Sequence, residues 1–155
     1  MNLHLIFRMD LAQQEGEFIE KAARVLYPHM AVVGSVHDLV ETCVKVCSPD
    51  RRIGTLEILG HSFWDTGFDG IYIGRDRLST FTLPQHTGSL LRLSPLFSRN
   101  PRARVFLGGC FLGRDGVSLL RVLSLLWGGV AVMAGTAVQV PMREGIEGEV
   151  RICVG

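Results

Sequence analysis

Two side chains suited to covalent chemistry near neutral pH, an imidazole and a thiol, hold equivalent places in this chain. His61 follows Gly60 at the end of the apolar run Thr55-Leu56-Glu57-Ile58-Leu59, and Cys110 follows Gly108-Gly109 at the end of Arg104-Val105-Phe106-Leu107. Short apolar runs bounded by glycine read as buried strands. Both residues are therefore expected just past the C-terminal ends of strands, where open α/β sheets bind ligands. An imidazole beside a thiol helps to form thiolate, the nucleophile, and later protonates the leaving group. Backbone N–H groups at Ser62 and Gly109 are the expected oxyanion donors. A helix starting near Asp115–Val117 is expected to aim its N-terminal N–H groups at the Cys110 loop, which also favours thiolate.

Trp64, Asp65 and Asp69 fall on the polar stretch after His61 and are candidates for a substrate cleft. A carboxylate there can orient the imidazole or select a basic substrate group. Cys43 and Cys47, four apart on a predicted helix, read as core residues, because a structural zinc site needs four ligands and no second pair has suitable spacing. Cys153 carries no motif. No phosphate-binding loop, dinucleotide fingerprint or zinc-protease helix occurs, so neither a cofactor nor a metal is expected.

The elements that must position these residues follow from periodicity. Leu3–Phe7 and Met30–Val33 are predicted strands, separated by a helix over Gln13–Leu26 that Pro28 ends. Ser35 is placed to cap a helix over Val36–Val46. Gly54–Leu59 is the strand before His61, followed by a loop from Trp64 to Gly70 and a short β-like run at Ile71–Ile73. Thr87–Phe97 reads as a helix, Arg104–Leu107 as the strand before Cys110, Val117–Leu126 as a helix opened by Asp115 or Gly116, and Val130–Ala134 as a buried strand. Val150–Val154 is an expected edge strand through which a homo-oligomer can form. Strands apolar on both faces, alternating with helices, predict an α/β three-layer sandwich with a mostly parallel sheet and helices on both faces. Residues 1–155 read as one domain.

Composition narrows the function classes. With 16 basic and 15 acidic residues the net charge is +1, which leaves no electrostatic footprint for nucleic acid or an anionic membrane. Val117 to Ala134 is the most apolar stretch, but Arg121 and Gly128-Gly129 interrupt it, so a membrane span is not expected. No targeting segment is visible, and four unevenly spaced cysteines do not form a disulfide framework, so a reducing cytoplasm is expected.

The 49-residue spacing from His61 to Cys110 matches the caspase order, with His about 50 residues upstream of Cys. Thr55-Leu56-Glu57-Ile58-Leu59-Gly60-His61-Ser62 and Gly70-Ile71-Tyr72-Ile73-Gly74 resemble the strand, His and short hairpin strand of the caspase-like superfamily. Val105-Phe106-Leu107-Gly108-Gly109-Cys110-Phe111-Leu112-Gly113, with Gly116-Val117-Ser118-Leu119-Leu120 and Gly129-Val130-Ala131-Val132-Met133-Ala134, resembles its strand, Cys, helix and strand block. The pattern, over roughly Leu3 to Ala137, is similar to the caspase-like domain of large bacterial surface proteins, akin to CHAT-type peptidases. The resemblance implies a caspase-haemoglobinase-like fold and a cysteine endopeptidase cutting a peptide or protein substrate, with Cys110 as nucleophile and His61 as general base and acid. Ser62 stands where the family usually has Gly. Gly108 stands where the Arg/Lys-specific branch carries Asp, so that position builds no basic-specificity pocket. A degenerate, non-catalytic binding or scaffold domain is the alternative reading.

Overall fold

The computed structural model describes residues 2–8, 31–65, 68–137 and 149–154. In chain order these form β1 (Asn2–Arg8), β2 (Ala31–Val32), α1 (Val36–Val46), β3 (Arg52–Leu59), β4 (Ser62–Asp65), β5 (Phe68–Ile73), β6 (Asp76–Leu78), α2 (Leu83–Leu91), a 3-10 turn (Ser94–Leu96), β7 (Arg104–Gly108), α3 (Leu112–Asp115), α4 (Val117–Leu126), β8 (Ala131–Gly135) and β9 (Val150–Cys153). The main sheet runs β2-β1-β3-β7-β8-β9. Its strands are parallel except β9, which pairs antiparallel with β8. The fold is thus α/β with a mixed, mostly parallel sheet.

One face of the sheet is apolar across its central strands. Register aligns Phe7 with Ile58, Leu56 with Val105 and Ile58 with Leu107, and all five are buried. The crossovers through α1, α2 and α4 step the same way across the sheet, so a common right hand puts these helices on one face. Helix α1 supplies Val36, Leu39, Val40 and Cys43, a stripe at i, i+3, i+4 and i+7. Its start follows a capping pattern: Ser35 Oγ accepts from the Asp38 N–H at 3.0 Å, and the Asp38 carboxylate accepts from the Gly34 N–H at 3.2 Å. Trp127, just past α4, donates its indole N–H to the Leu90 carbonyl at 3.0 Å and so ties α4 to α2. The helix expected over Gln13–Leu26 lies outside the described residues, as does Met30 of the second strand.

Two expectations are corrected. The helix placed at Thr87–Phe97 begins earlier, at Leu83, and ends at Leu91, giving way to the 3-10 turn. Pro84 sits in the first helical turn, where it is tolerated, and Pro95 cannot continue an α-helix. The expected loop from Trp64 to Gly70 takes in the end of β4 and the start of β5, part of a small antiparallel sheet in the order β4-β5-β6. Here pairing overrides a polar, glycine-containing composition. Gly70 permits the close strand approach, because a Cβ there would lie 2.2 Å from the Leu78 carbonyl oxygen. The apolar stretch from Val117 to Ala134 is α4 followed by β8. No helix among the described residues is long and apolar enough to cross a membrane.

Candidate active site

Strands β3 and β7 are parallel neighbours whose last paired residues are Leu59 and Gly108. His61 and Cys110 each stand two residues beyond that pair, so the backbone brings them out on the same rim at the same level. Gly60 is required there: a Cβ would lie 2.3 Å from the Tyr72 carbonyl oxygen of β5. The Tyr72 N–H donates to the His61 carbonyl at 2.8 Å, which docks the small sheet on the rim. The two expected oxyanion residues also meet, since a Cβ on Gly109 would sit 3.4 Å from the Ser62 Cβ.

The Cys110 loop is held against the end of β8. Phe111, the next residue, has φ 56°, in the left-handed region that side-chain-bearing residues rarely adopt. Its N–H donates to the Ala137 carbonyl at 2.9 Å, beyond the end of β8. Gly113 permits α3 to lie against the same strand end, because a Cβ there would meet the Ala134 carbonyl oxygen at 2.3 Å. The turn between β7 and α3 is thereby anchored to the end of the neighbouring strand at two points just after Cys110.

Cys110 opens on a cavity of about 230 Å³ that it shares with Ser62, Phe63, Asp69, Phe111, Arg114 and Asp115. Arg114 makes a two-pronged pair with Asp115, Nε to Oδ1 at 2.8 Å and Nη2 to Oδ2 at 2.5 Å, and its guanidinium lies 4.5 Å from the Phe111 ring centre. The hydrogen bond from Arg114 holds the Asp115 carboxyl below the usual range. Burial, together with the Asp115 charge, pushes Asp69 up. The cavity therefore joins a thiol and a hydroxyl to two carboxylates whose affinities for protons have been driven apart.

Of the sequence-predicted residues, Cys110, Ser62 and Asp69 meet at this cavity, and Gly109 is not among the residues that line it. His61 is half-buried and is not in the cavity lining, which takes Ser62 and Phe63 from that part of the chain. Pairing sets Trp64 of β4 opposite Asp69, and Asp65 opposite Phe68, while the side chains of Trp64 and Asp65 lie outside the described residues. The expected helix-dipole support for Cys110 is corrected. Helix α4 opens at Gly116 as its N-cap, beyond the one-turn α3, and a helix dipole acts only within about its first turn. Sequence reasoning missed Phe63, Phe111, Arg114 and Asp115 as lining residues, and an Arg-Asp dipeptide after a glycine is no signal for such a role. Cys43 is buried, and no cluster of three metal-binding side chains occurs among the described residues. Compared with protein-family models, curated proteins and solved structures, the chain matches none.

Proposed function

We propose that the protein is a cysteine endopeptidase of the caspase-like type. The observation that carries this reading is the β3–β7 pairing, which sets His61 and Cys110 at equal distances past adjacent strand ends, with the cysteine on a cavity. In this mechanism the Cys110 thiol passes its proton to the His61 imidazole, and the sulfur adds to the scissile carbonyl carbon. N–H groups at Ser62 and Gly109 receive the oxyanion. The intermediate collapses as the C–N bond breaks and the imidazolium protonates the leaving amine. Water, deprotonated by His61, then hydrolyses the thioester and restores the thiol. Asp69 gives the cleft an acceptor for a cationic side chain of the substrate. A reducing compartment such as the cytoplasm suits this chemistry, and all four cysteines are free thiols.

The test is selective alkylation of Cys110 near neutral pH, with thiol-dependent cleavage of a peptide library. Both are expected in the wild type, cleavage vanishing in Cys110→Ala and both slowing in His61→Ala. If Cys110 reacts no faster than the other three cysteines, or ignores His61, the peptidase reading fails.

One observation favours the scaffold reading. Val150, Ile152 and Val154, at the edge of the main sheet, are 45%, 55% and 57% exposed. An apolar edge strand is a template for strand addition, here by a second copy. Sedimentation that gives a monomer, in a protein with thiol-dependent cleavage, eliminates this alternative.

A further inference from the structure

At the opposite rim, by the N-terminal ends of β3 and β7, lies a second cavity that the proposed chemistry does not use. It encloses about 200 Å³ and is lined by Ser94, Phe97, Ser98, Arg99, Arg102 and Trp127, among others. Arg99 and Arg102 face each other across an isolated antiparallel bridge. Residues so paired present their side chains to the same side, and like charges placed opposite one another are destabilising. No carboxylate among the described residues lines this cavity. Among the described residues Arg99 makes no ion pair or side-chain hydrogen bond, and Arg102 reaches only the Gly129 carbonyl, at 3.4 Å. Ser98 is 6% exposed, and its hydroxyl has no hydrogen-bond partner among the described residues. Buried hydroxyls are normally satisfied. An adjoining cavity of about 380 Å³ shares Ser98 and Arg99 and does include a carboxylate, Asp50.

Two opposed guanidiniums and an idle buried hydroxyl form the recognition set for an oxyanion with several acceptor oxygens. We propose that this cavity binds a phosphoryl group, free or carried on a small molecule or peptide, with Arg99 and Arg102 as its cationic partners and the Ser98 hydroxyl as a further donor. Guanidinium binds phosphate through paired N–H donors, and the anion removes the repulsion between the two arginines. The site is independent of the peptidase reading.

Thermal unfolding of the full chain tests it at fixed ionic strength, with chloride, inorganic phosphate, acetate or a phosphoserine peptide. A ligand at about 100-fold its Kd is expected to raise Tm by about 5–10 °C. Phosphate or the phosphopeptide should do so, and whichever acts at lower concentration identifies the free or carried form. The gain should disappear in Arg99→Gln/Arg102→Gln and shrink in Ser98→Ala, but persist in Arg121→Gln, an exposed arginine on α4. Without phosphate, the double variant should melt close to wild type, since the loss of the long Arg102–Gly129 contact is offset by relief of the repulsion. Equal gains from chloride or acetate, or a phosphate gain that survives in the double variant, overturn the proposal. A double variant that melts well below wild type without phosphate also overturns it, because the arginines then serve the fold.

Discussion

Cys43 and Cys110 are the same residue in two different media. Cys43 lies in the middle of α1 with no exposed surface, pressed against the sheet, and burial, with help from the neighbouring Cys47, pushes its thiol up to about 12. At pH 7 a thiol with that pKa is ionised on the order of one part in 10⁵, so Cys43 is a small hydrophobe in practice. Cys110 is half-buried on a turn past a strand end, beside a cavity with two carboxylates and a guanidinium. The difference shows that the fold assigns chemistry by placement. A helix interior suppresses a thiol, whereas a strand end opens one to ligand and to neighbours on adjacent loops.

Removing the Cys110 thiol should break the comparison most completely. Cys110→Ala is expected to cut peptide cleavage by at least about 10³-fold and to abolish the fast phase of alkylation, measured by mass spectrometry of labelled peptides. Next in size, His61→Ala should slow cleavage by roughly 10²–10⁴-fold with the fold intact by circular dichroism. It should also slow labelling of Cys110 and leave Cys43 unchanged; equal slowing of both would remove His61 from the site.

Asp69→Asn sharpens the contrast in electrostatics. It should lower kcat/KM on substrates with a cationic side chain by about 10-fold relative to neutral ones. In the wild type that preference should fade as pH drops through the carboxylate range, and earlier than for an ordinary aspartate, because the Asp69 pKa is raised. The stability effect has the opposite sense. A carboxyl whose pKa is higher folded than unfolded favours the fold below its unfolded pKa, and that contribution is lost as pH rises through its folded pKa. The asparagine variant should therefore gain in Tm relative to wild type between acid and neutral pH.

The smallest effect belongs to the buried thiol. Cys43→Ala should cost about 1 kcal/mol, seen as a drop of roughly 2–4 °C in Tm, and leave cleavage unchanged. Alkylation of Cys43 should keep rising with pH through the alkaline range, in keeping with a pKa of about 12.

Much of the frame was legible in the residues themselves. The Val36–Val46 helix, its Ser35 cap and the strands ending at Leu59 and Gly108 rest on local patterns: an apolar stripe, a capping hydroxyl, an apolar run closed by glycine. The β4–β5 hairpin was not legible, because its polar residues are strand-like only when paired. Nor was the end of the helix predicted at Thr87–Phe97, because its four leucines continue the helical spacing past the point where Pro95 stops it. Periodicity recorded burial, while proline and pairing set the boundaries.

By itself the sequence determined that a histidine and a cysteine would each stand just past a strand. It did so because burial alternates along the chain and glycine marks where each strand ends. Only the tertiary structure decided that the two strands are neighbours, that Phe111 turns into the left-handed region, and that Asp69, Arg114 and Asp115 gather at Cys110. The same holds for Arg99 and Arg102 at the far rim. These outcomes depend on how a whole sheet closes its register and packs its helices. That is a sum over contacts distant in the chain, which no local pattern carries.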